Sequence, residues 1–290
     1  MTKGGRALAK IKLVVTDLDG TFLQSHDVAQ PDNVRALRAC EAAGVPVCCV
    51  TGRSFDLARR PLALGGFHGL CVTSNGCGIQ RVETGETLYN NTLCNRDVRK
   101  LLEIALRADV HVMAKTAAFG VFCRPLYKDV PRPANEEMRA QWPPEQRPTF
   151  YMTETIDEML EKLGEQTQTV SFHKKNADEM FPGWLYDEVI SQGEFSLTSS
   201  FAGGLDLEIM PPDSGKRNGV IRLAQMMGIR QEEVMACGDH VNDLGMLRWA
   251  GIGVVMGDAD ARVQAEADYI SVPHDQGGVA DAIERFVLRR

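Results

Sequence analysis

Ile11-Lys12-Leu13-Val14-Val15-Thr16-Asp17-Leu18-Asp19-Gly20-Thr21 is an almost continuous apolar run that ends abruptly on two carboxylates and a glycine. A strand with one wet face would alternate apolar and polar side chains. A continuous run is the pattern of a strand buried on both faces of a parallel sheet. Similar runs recur at residues 45–50, 70–73, 234–237 and 252–256. Between them, Val34, Leu37 and Cys40 precede Gly44, and Val220, Leu223 and Met227 precede Gly228. Apolar spacing of three to four closed by a glycine is the mark of a helix. The alternation of strand and helix predicts a doubly wound α/β fold, whose ligand crevice lies beyond the carboxyl ends of the strands.

The rhythm breaks between about residue 84 and residue 211, where strand-like and helix-like pieces mix without βαβ order. The expected organisation is a core from residues 1–83 and 212–290 with an α+β domain, residues 84–211, inserted into it. Residues 124–148 hold six of the chain's thirteen prolines and Trp142, which excludes a regular helix or central strand there. A solvated loop of the insert is the simpler reading than a partner-binding motif.

The 290 residues are 44% hydrophobic, enough for a substantial core, and the formal charge of -7 repels polyanions. No nucleic-acid partner is expected, and no membrane partner, since the apolar stretch at residues 11–15 is far shorter than a signal core or a span. The eight cysteines contain no Cys-x-x-Cys pair, and Cys48, Cys49, Cys71 and Cys237 sit inside apolar runs. They read as small buried hydrophobes in a reducing, cytoplasmic compartment.

The polar residues at the strand ends carry the chemistry. Asp17 and Asp19 stand two apart where the chain leaves the sheet, and alternate strand residues share a face. Two carboxylates so close repel unless a cation lies between them or one takes a proton. With Mg²⁺, one could attack phosphorus while the other manages the leaving group's proton. An Asx-turn closing a strand is the structural alternative. Thr51-Gly52-Arg53 ends the second strand with a hydroxyl and backbone amides suited to a phosphate oxygen, or to an ordinary helix cap at Ser54. Ser74-Asn75-Gly76 ends the third with a weaker version of the same signal. Lys216 opens an amphipathic helix and offers a point cation. Met210 and Arg217 stand where a P-loop needs glycine and Ser or Thr, which excludes a nucleoside-triphosphatase loop. Gly238-Asp239-His240-Val241-Asn242-Asp243 adds two carboxylates and an amide; Asp17 and Asp239 from adjacent strands would supply hard oxygens to Mg²⁺, with Asp243 close by. A capped helix start is the alternative here. Four strand ends agreeing on phosphoryl chemistry outweigh the turn-and-cap reading of each.

Taken together, Asp17-Leu18-Asp19-Gly20-Thr21, Thr51-Gly52-Arg53, Lys216, and Gly238-Asp239 with Asn242-Asp243 resemble the haloacid dehalogenase superfamily, in order and over nearly the whole chain. The large insert, with Leu207-Glu208-Ile209 as its last strand, is similar to the type-B cap of the Cof-type phosphatases, which act mostly on phosphorylated sugars and similar metabolites. The resemblance implies Asp17 as nucleophile and metal ligand, and Asp19 as general acid/base that also binds metal through its carbonyl. It also implies Leu18 (by its backbone), Thr51, Gly52, Lys216 and Asn242 around the phosphate, with Asp239 on Mg²⁺ and Asp243 beside it. Thr16 stands where Phe is common, and Arg217 where Gly is frequent.

The expected activity is Mg²⁺-dependent hydrolysis of a small phosphorylated metabolite through an aspartyl phosphate. A phosphomutase or phosphotransferase would use the same intermediate; a non-catalytic phospho-ligand sensor and an Asp-x-Asp sugar transferase are more distant alternatives. For specificity, His111, Lys115, His173, Lys174 and Lys175 are polar candidates in the insert, with solvated surface as the expected place of each.

Overall fold

The computed structural model describes residues 9–25, 27–127, 140, 142–175, 178, 180–199 and 206–288. The chain divides into two compact units, one from residues 1–52, 58–89 and 215–290, the other from residues 53–57 and 90–214.

In the first unit, the strands lie in the order Tyr269–Ile270, Ile252–Val255, Val234–Gly238, Leu13–Thr16, Val47–Cys49, and every neighbouring pair is parallel. The last four of these are buried at every position, which is why their sequences do not alternate. Each fully buried Val or Leu among them contributes about 1.5–3 kcal/mol of transfer free energy. Leu13–Thr16 is an inner strand: the next strand of the sheet in sequence lies on one side and Val234–Gly238 on the other. The winding reverses there, so the carboxyl end of Leu13–Thr16 is the switch point where a crevice is expected.

The third apolar run takes a different place from the expected one. Leu70–Thr73 pairs antiparallel with Gly78–Arg81 in a separate three-stranded sheet and meets the parallel sheet beside Val47–Cys49 through the parallel bridge Val50 to Val72. The helix Pro31–Ala42 buries Asn33, Ala36, Leu37 and Cys40, one face of a 3.6-residue period. It opens on Gln30, whose side chain accepts the Asn33 N–H at 2.9 Å, followed by proline at the first turn. Cys48, Cys49, Cys71 and Cys237 are all buried, as their apolar surroundings predict.

The second unit has a six-stranded sheet in the order Phe150–Thr153, Gly120–Cys123, His111–Lys115, Thr169–His173, Asp206–Met210, Ser196–Thr198. All its pairs are antiparallel except Phe150–Thr153 with Gly120–Cys123. Val112, Ala114, Val170, Phe172, Leu207 and Ile209 share a core with Val98, Leu101, Leu102 and Ala105 of the helix Asn95–Ala108. Strand period two turns the intervening residues, Lys115, Ser171 and Glu208 among them, to the opposite face. The helix Ile156–Leu163 begins with a reciprocal capping box between Thr155 and Glu158. In the proline-rich stretch, Arg124–Leu126 and Pro144–Gln146 are single 3-10 turns, while residues 128–139 and 141 lie outside the described residues. Among the described residues, no helix is long and apolar enough to cross a membrane.

Candidate active site

The first strand ends at Thr16, but its ladder runs one residue further: the Asp17 N–H donates to the Cys237 carbonyl at 3.0 Å. Register fixes this, because Thr16 lies opposite Cys237 on one side and Cys49 on the other. Strand alternation does not carry on to Asp19. The chain instead enters a tight turn, Leu18–Phe22, with Gly20 at φ +74°. Asp17 and Leu18 are buried and Asp19 is exposed, so a turn rather than a pleat sets the two carboxylates apart. A Cβ at Gly20 would sit 2.4 Å from Oδ2 of Asp239; both the positive φ and the close carboxylate demand glycine.

Lys216, the first residue of the helix Lys216–Met226, is buried with its ammonium 2.8 Å from Asp17 Oδ1 and 2.7 Å from Asp243 Oδ1. Arg217 follows as an ordinary helical residue, its Cβ 3.0 Å from where a Cβ at Gly245 would lie. The other oxygen of Asp243 accepts the backbone N–H groups of Asp239, at 3.1 Å, and His240, at 3.0 Å. This needs Asp243 folded back under the strand end, which the 3-10 turn Val241–Asp243 achieves. A side chain at Gly238 would collide with it, 2.7 Å from its Cβ. Thr21 donates its hydroxyl to Asp239 Oδ1 at 2.6 Å. Thr51, buried beyond the strand Val47–Cys49, donates its N–H to the Val72 carbonyl at 2.9 Å, with half-buried Gly52 next to it. Asn242 donates its side-chain N–H to Asn75 Oδ1 at 3.3 Å.

Asp17, Asp239 and Asp243 can bring one carboxylate oxygen each within 4.8 Å of one another. Burial, with Asp243, Asp239 and Asp19 nearby, pushes the Asp17 carboxyl well above the usual range against the pull of Lys216. Burial and Asp243 raise Asp239 to about 7, with the Thr21 hydrogen bond, Lys216 and His274 acting the other way. Burial alone would lower the Lys216 ammonium, but Asp17 and Asp243 outweigh it and hold its pKa above the ordinary value. The cluster therefore holds more negative charge than its lysine neutralises. A hard divalent cation suits this donor set, because the converging groups are carboxylate oxygens and a single ammonium stands against three of them.

Two side chains at this site were passed over in the sequence. Thr21 lies inside the quoted motif, yet nothing local shows that its hydroxyl reaches residue 239. Asn75 sits in the weakest of the strand-end signals, although an Asn-Gly pair after a strand does mark backbone of positive φ. In the second unit, the expectation of solvated surface is corrected for His111 and Lys115, which are buried. Lys115 forms an ion pair with Glu208 at 2.6 Å across the strand Thr169–His173, because both project from the same face of the two strands that flank it. His173 is partly buried, Lys174 lies over the Phe181 ring, and Lys175 pairs with Asp109 at 2.7 Å.

A family model described as haloacid dehalogenase-like hydrolase matches residues 14–283. The chain is 25% identical to a 5-amino-6-(5-phospho-D-ribitylamino)uracil phosphatase, YcsE, of Bacillus subtilis, across 96% of each chain. It is 27% identical over 96% of its own length to a chloroplastic protein of Arabidopsis thaliana named endoribonuclease YBEY, and spans 47% of that relative. Among solved structures, a haloacid dehalogenase-like hydrolase from Bacteroides thetaiotaomicron is 28% identical with a TM-score of 0.75, covering 95% of this chain and 99% of that one.

Proposed function

The chain belongs to the haloacid dehalogenase-like hydrolases, in their Cof-type branch, and on that footing we propose that it is a Mg²⁺-dependent phosphatase of small phosphorylated metabolites, with Asp17 as nucleophile. The observation that carries this reading is the seating of Asp17. Its carboxylate projects at the switch point of the parallel sheet, held by a buried ammonium at 2.8 Å, amid two more converging carboxylates. An aspartate serving only as a turn would need neither the buried lysine nor the excess of acid.

In the proposed reaction an Asp17 oxygen attacks phosphorus opposite the ester oxygen, and the bond from phosphorus to that oxygen breaks as the new one forms. Asp19, exposed on the same turn, gives its proton to the departing alcohol. Asp19 then takes a proton from the water that attacks the aspartyl phosphate, so that Asp17 is regained and inorganic phosphate leaves. Lys216 offsets charge on the transferring group, with the Thr51 hydroxyl, the Asn242 amide and backbone N–H groups at Leu18 and Gly52 as its other partners.

Asp17 and Asp239 would hold Mg²⁺, together with the Asp19 carbonyl. Both oxygens of Asp243 are already engaged, one by Lys216 and the other by two backbone N–H groups, so it supports the site from the outer ring. Bound Mg²⁺ supplies positive charge that neutralises the phosphoryl oxygens. The YcsE relative is named for a phosphorylated ribityl compound, and another, 26% identical over 96% of this chain, is a phosphoglycolate phosphatase of Methanothermobacter thermautotrophicus. Both substrates are monoesters of small polar metabolites, the class proposed here.

The test is release of phosphate from p-nitrophenyl phosphate by purified protein. Activity should disappear with EDTA, return with Mg²⁺, and fall at least about a thousandfold in Asp17→Asn, which keeps the shape and removes the nucleophile. Near-normal turnover by Asp17→Asn would overturn the covalent mechanism.

A further inference from the structure

Between the strand Leu70–Thr73 and its antiparallel partner, Ser74, Asn75 and Gly76 all take positive φ, at +48°, +51° and +91°. Two successive non-glycine residues in left-handed backbone are strained, and such strain persists only where the surroundings over-determine it. Both are buried. The turn is held through Asn75, which bonds to three other segments. Its N–H donates to the Thr51 carbonyl at 3.0 Å. Its carbonyl accepts the N–H of Gly215, the residue before Lys216, at 2.6 Å. Its side-chain oxygen accepts the amide N–H of Asn242 at 3.3 Å.

The packing around these bonds allows little slack. A Cβ at Gly76 would lie 2.3 Å from the Gly215 carbonyl oxygen, and one at Gly219 would lie 2.5 Å from Val72 and 2.9 Å from Gly76. The helix that presents Lys216 is thus docked on this turn at backbone distance. The side-chain oxygen of Asn242 is buried and meets no donor among the described residues. Its amide plane is therefore set by the Asn75 bond, which occupies one N–H and leaves the second for a ligand oxygen.

We infer that Asn75 is a positioning residue for phosphate: its side chain orients the Asn242 amide, while its backbone ties Thr51 and the start of the Lys216 helix to one rigid joint. The inference rests on the proposed phosphate role of Thr51, Lys216 and Asn242. It adds a residue that makes no contact with phosphate itself and would act only through those that do.

Asn75→Gly separates the two parts. Glycine accepts the left-handed backbone, so the bonds to Thr51 and Gly215 survive and the melting temperature should stay close to that of the wild type. The bond from Asn242 is lost with the side chain. Inorganic phosphate, measured by calorimetry and as an inhibitor of p-nitrophenyl phosphate hydrolysis, should bind at least about fivefold more weakly, with KM rising more than kcat falls. Asn75→Ser removes the same amide with different backbone strain and should show the same loss. In Asn75→Gly/Asn242→Ala the loss should be no greater than in Asn242→Ala alone, because the two act as one unit. Phosphate affinity of Asn75→Gly and Asn75→Ser within twofold of the wild type, or multiplying losses in the double variant, would overturn the inference while leaving an active wild type and the proposed function in place. A wild type that neither binds phosphate nor hydrolyses the ester overturns both.

Discussion

Lys216 in the first unit and Lys115 in the second are both buried against carboxylates, yet their surroundings differ in charge. Lys115 meets Glu208 at 2.6 Å, and Ser171 adds a hydrogen bond to the same oxygen at 3.4 Å. Lys216 meets Asp17 and Asp243, with Asp239 beside them, and burial first, then the neighbouring carboxylates, raises the pKa values of Asp17 and Asp239 against the pull of that one ammonium. A balanced buried pair is an ordinary structural device whose desolvation cost about cancels its attraction. An unbalanced cluster costs stability, and a fold retains it where an added cation or a reacting phosphate uses the surplus. Burial of charge alone therefore does not mark the functional site; the imbalance does.

The sharpest way to break this comparison is to remove each lysine. Lys216→Met should lower turnover by about a hundredfold or more and cost about 3–5 kcal/mol by stranding buried carboxylates. Lys115→Met/Glu208→Leu removes a neutral pair as a whole and should leave denaturant stability unchanged or raised by about 1–4 kcal/mol. Equal destabilisation in the two variants would mean that both clusters are structural.

Metal and pH sharpen it next. In metal-free protein Asp239 titrates at about 7, above its unfolded value, so the native state holds the extra proton between about pH 4 and 7. This group's contribution to stability is complete at low pH and is lost as pH rises through about 7, by an amount on the order of a few kcal/mol. Mg²⁺ takes the place of the proton, so its gain in melting temperature should be larger at pH 8 than at pH 5. A gain independent of pH would separate the metal from the acid cluster.

The smallest effect lies on the other side of the comparison and has the opposite sign. Burial, then Lys115, lowers His173 to about 4 against the pull of Glu208, with His111 adding to the lowering. The native state therefore prefers neutral imidazole, and stability present above about pH 6.5 is lost as pH falls toward 4. Discounted for the partial exposure of His173, the loss is about 1–2 kcal/mol. His173→Gln should flatten that limb of the stability profile in chemical denaturation, and an unchanged limb would place the titration elsewhere.

Much of the core was legible in the chain itself. The runs at residues 11–16, 45–50, 234–237 and 252–256 read as doubly buried strands because continuous apolarity is local information, and the helix after Gln30 read from its spacing for the same reason. The run at residues 70–73 shows the limit: it is just as apolar, but antiparallel pairing with Gly78–Arg81 took it into another sheet, and pairing is not encoded in one strand. In the insert, alternation marked neither His111 nor Lys115 as buried. A polar residue on the second face of a sheet is wet or buried according to what lies over it.

By itself, the sequence determined which residue types stand at the strand ends: Asp17 after the first run, Thr51 after the second, Lys216 at a helix start, Asp239 and Asp243 after a late run. These follow from periodicity and from glycine, which act over a few residues. Only the tertiary structure decided how they meet. The register of Thr16 against Cys237 brings residues 17 and 239 to one edge, the 3-10 turn at residues 241–243 commits both oxygens of Asp243, and the left-handed turn at Asn75 ties Thr51, Gly215 and Asn242 together. Such contacts join segments separated by many tens of residues, and their geometry is set by strand pairing and backbone packing rather than by any spacing along the chain.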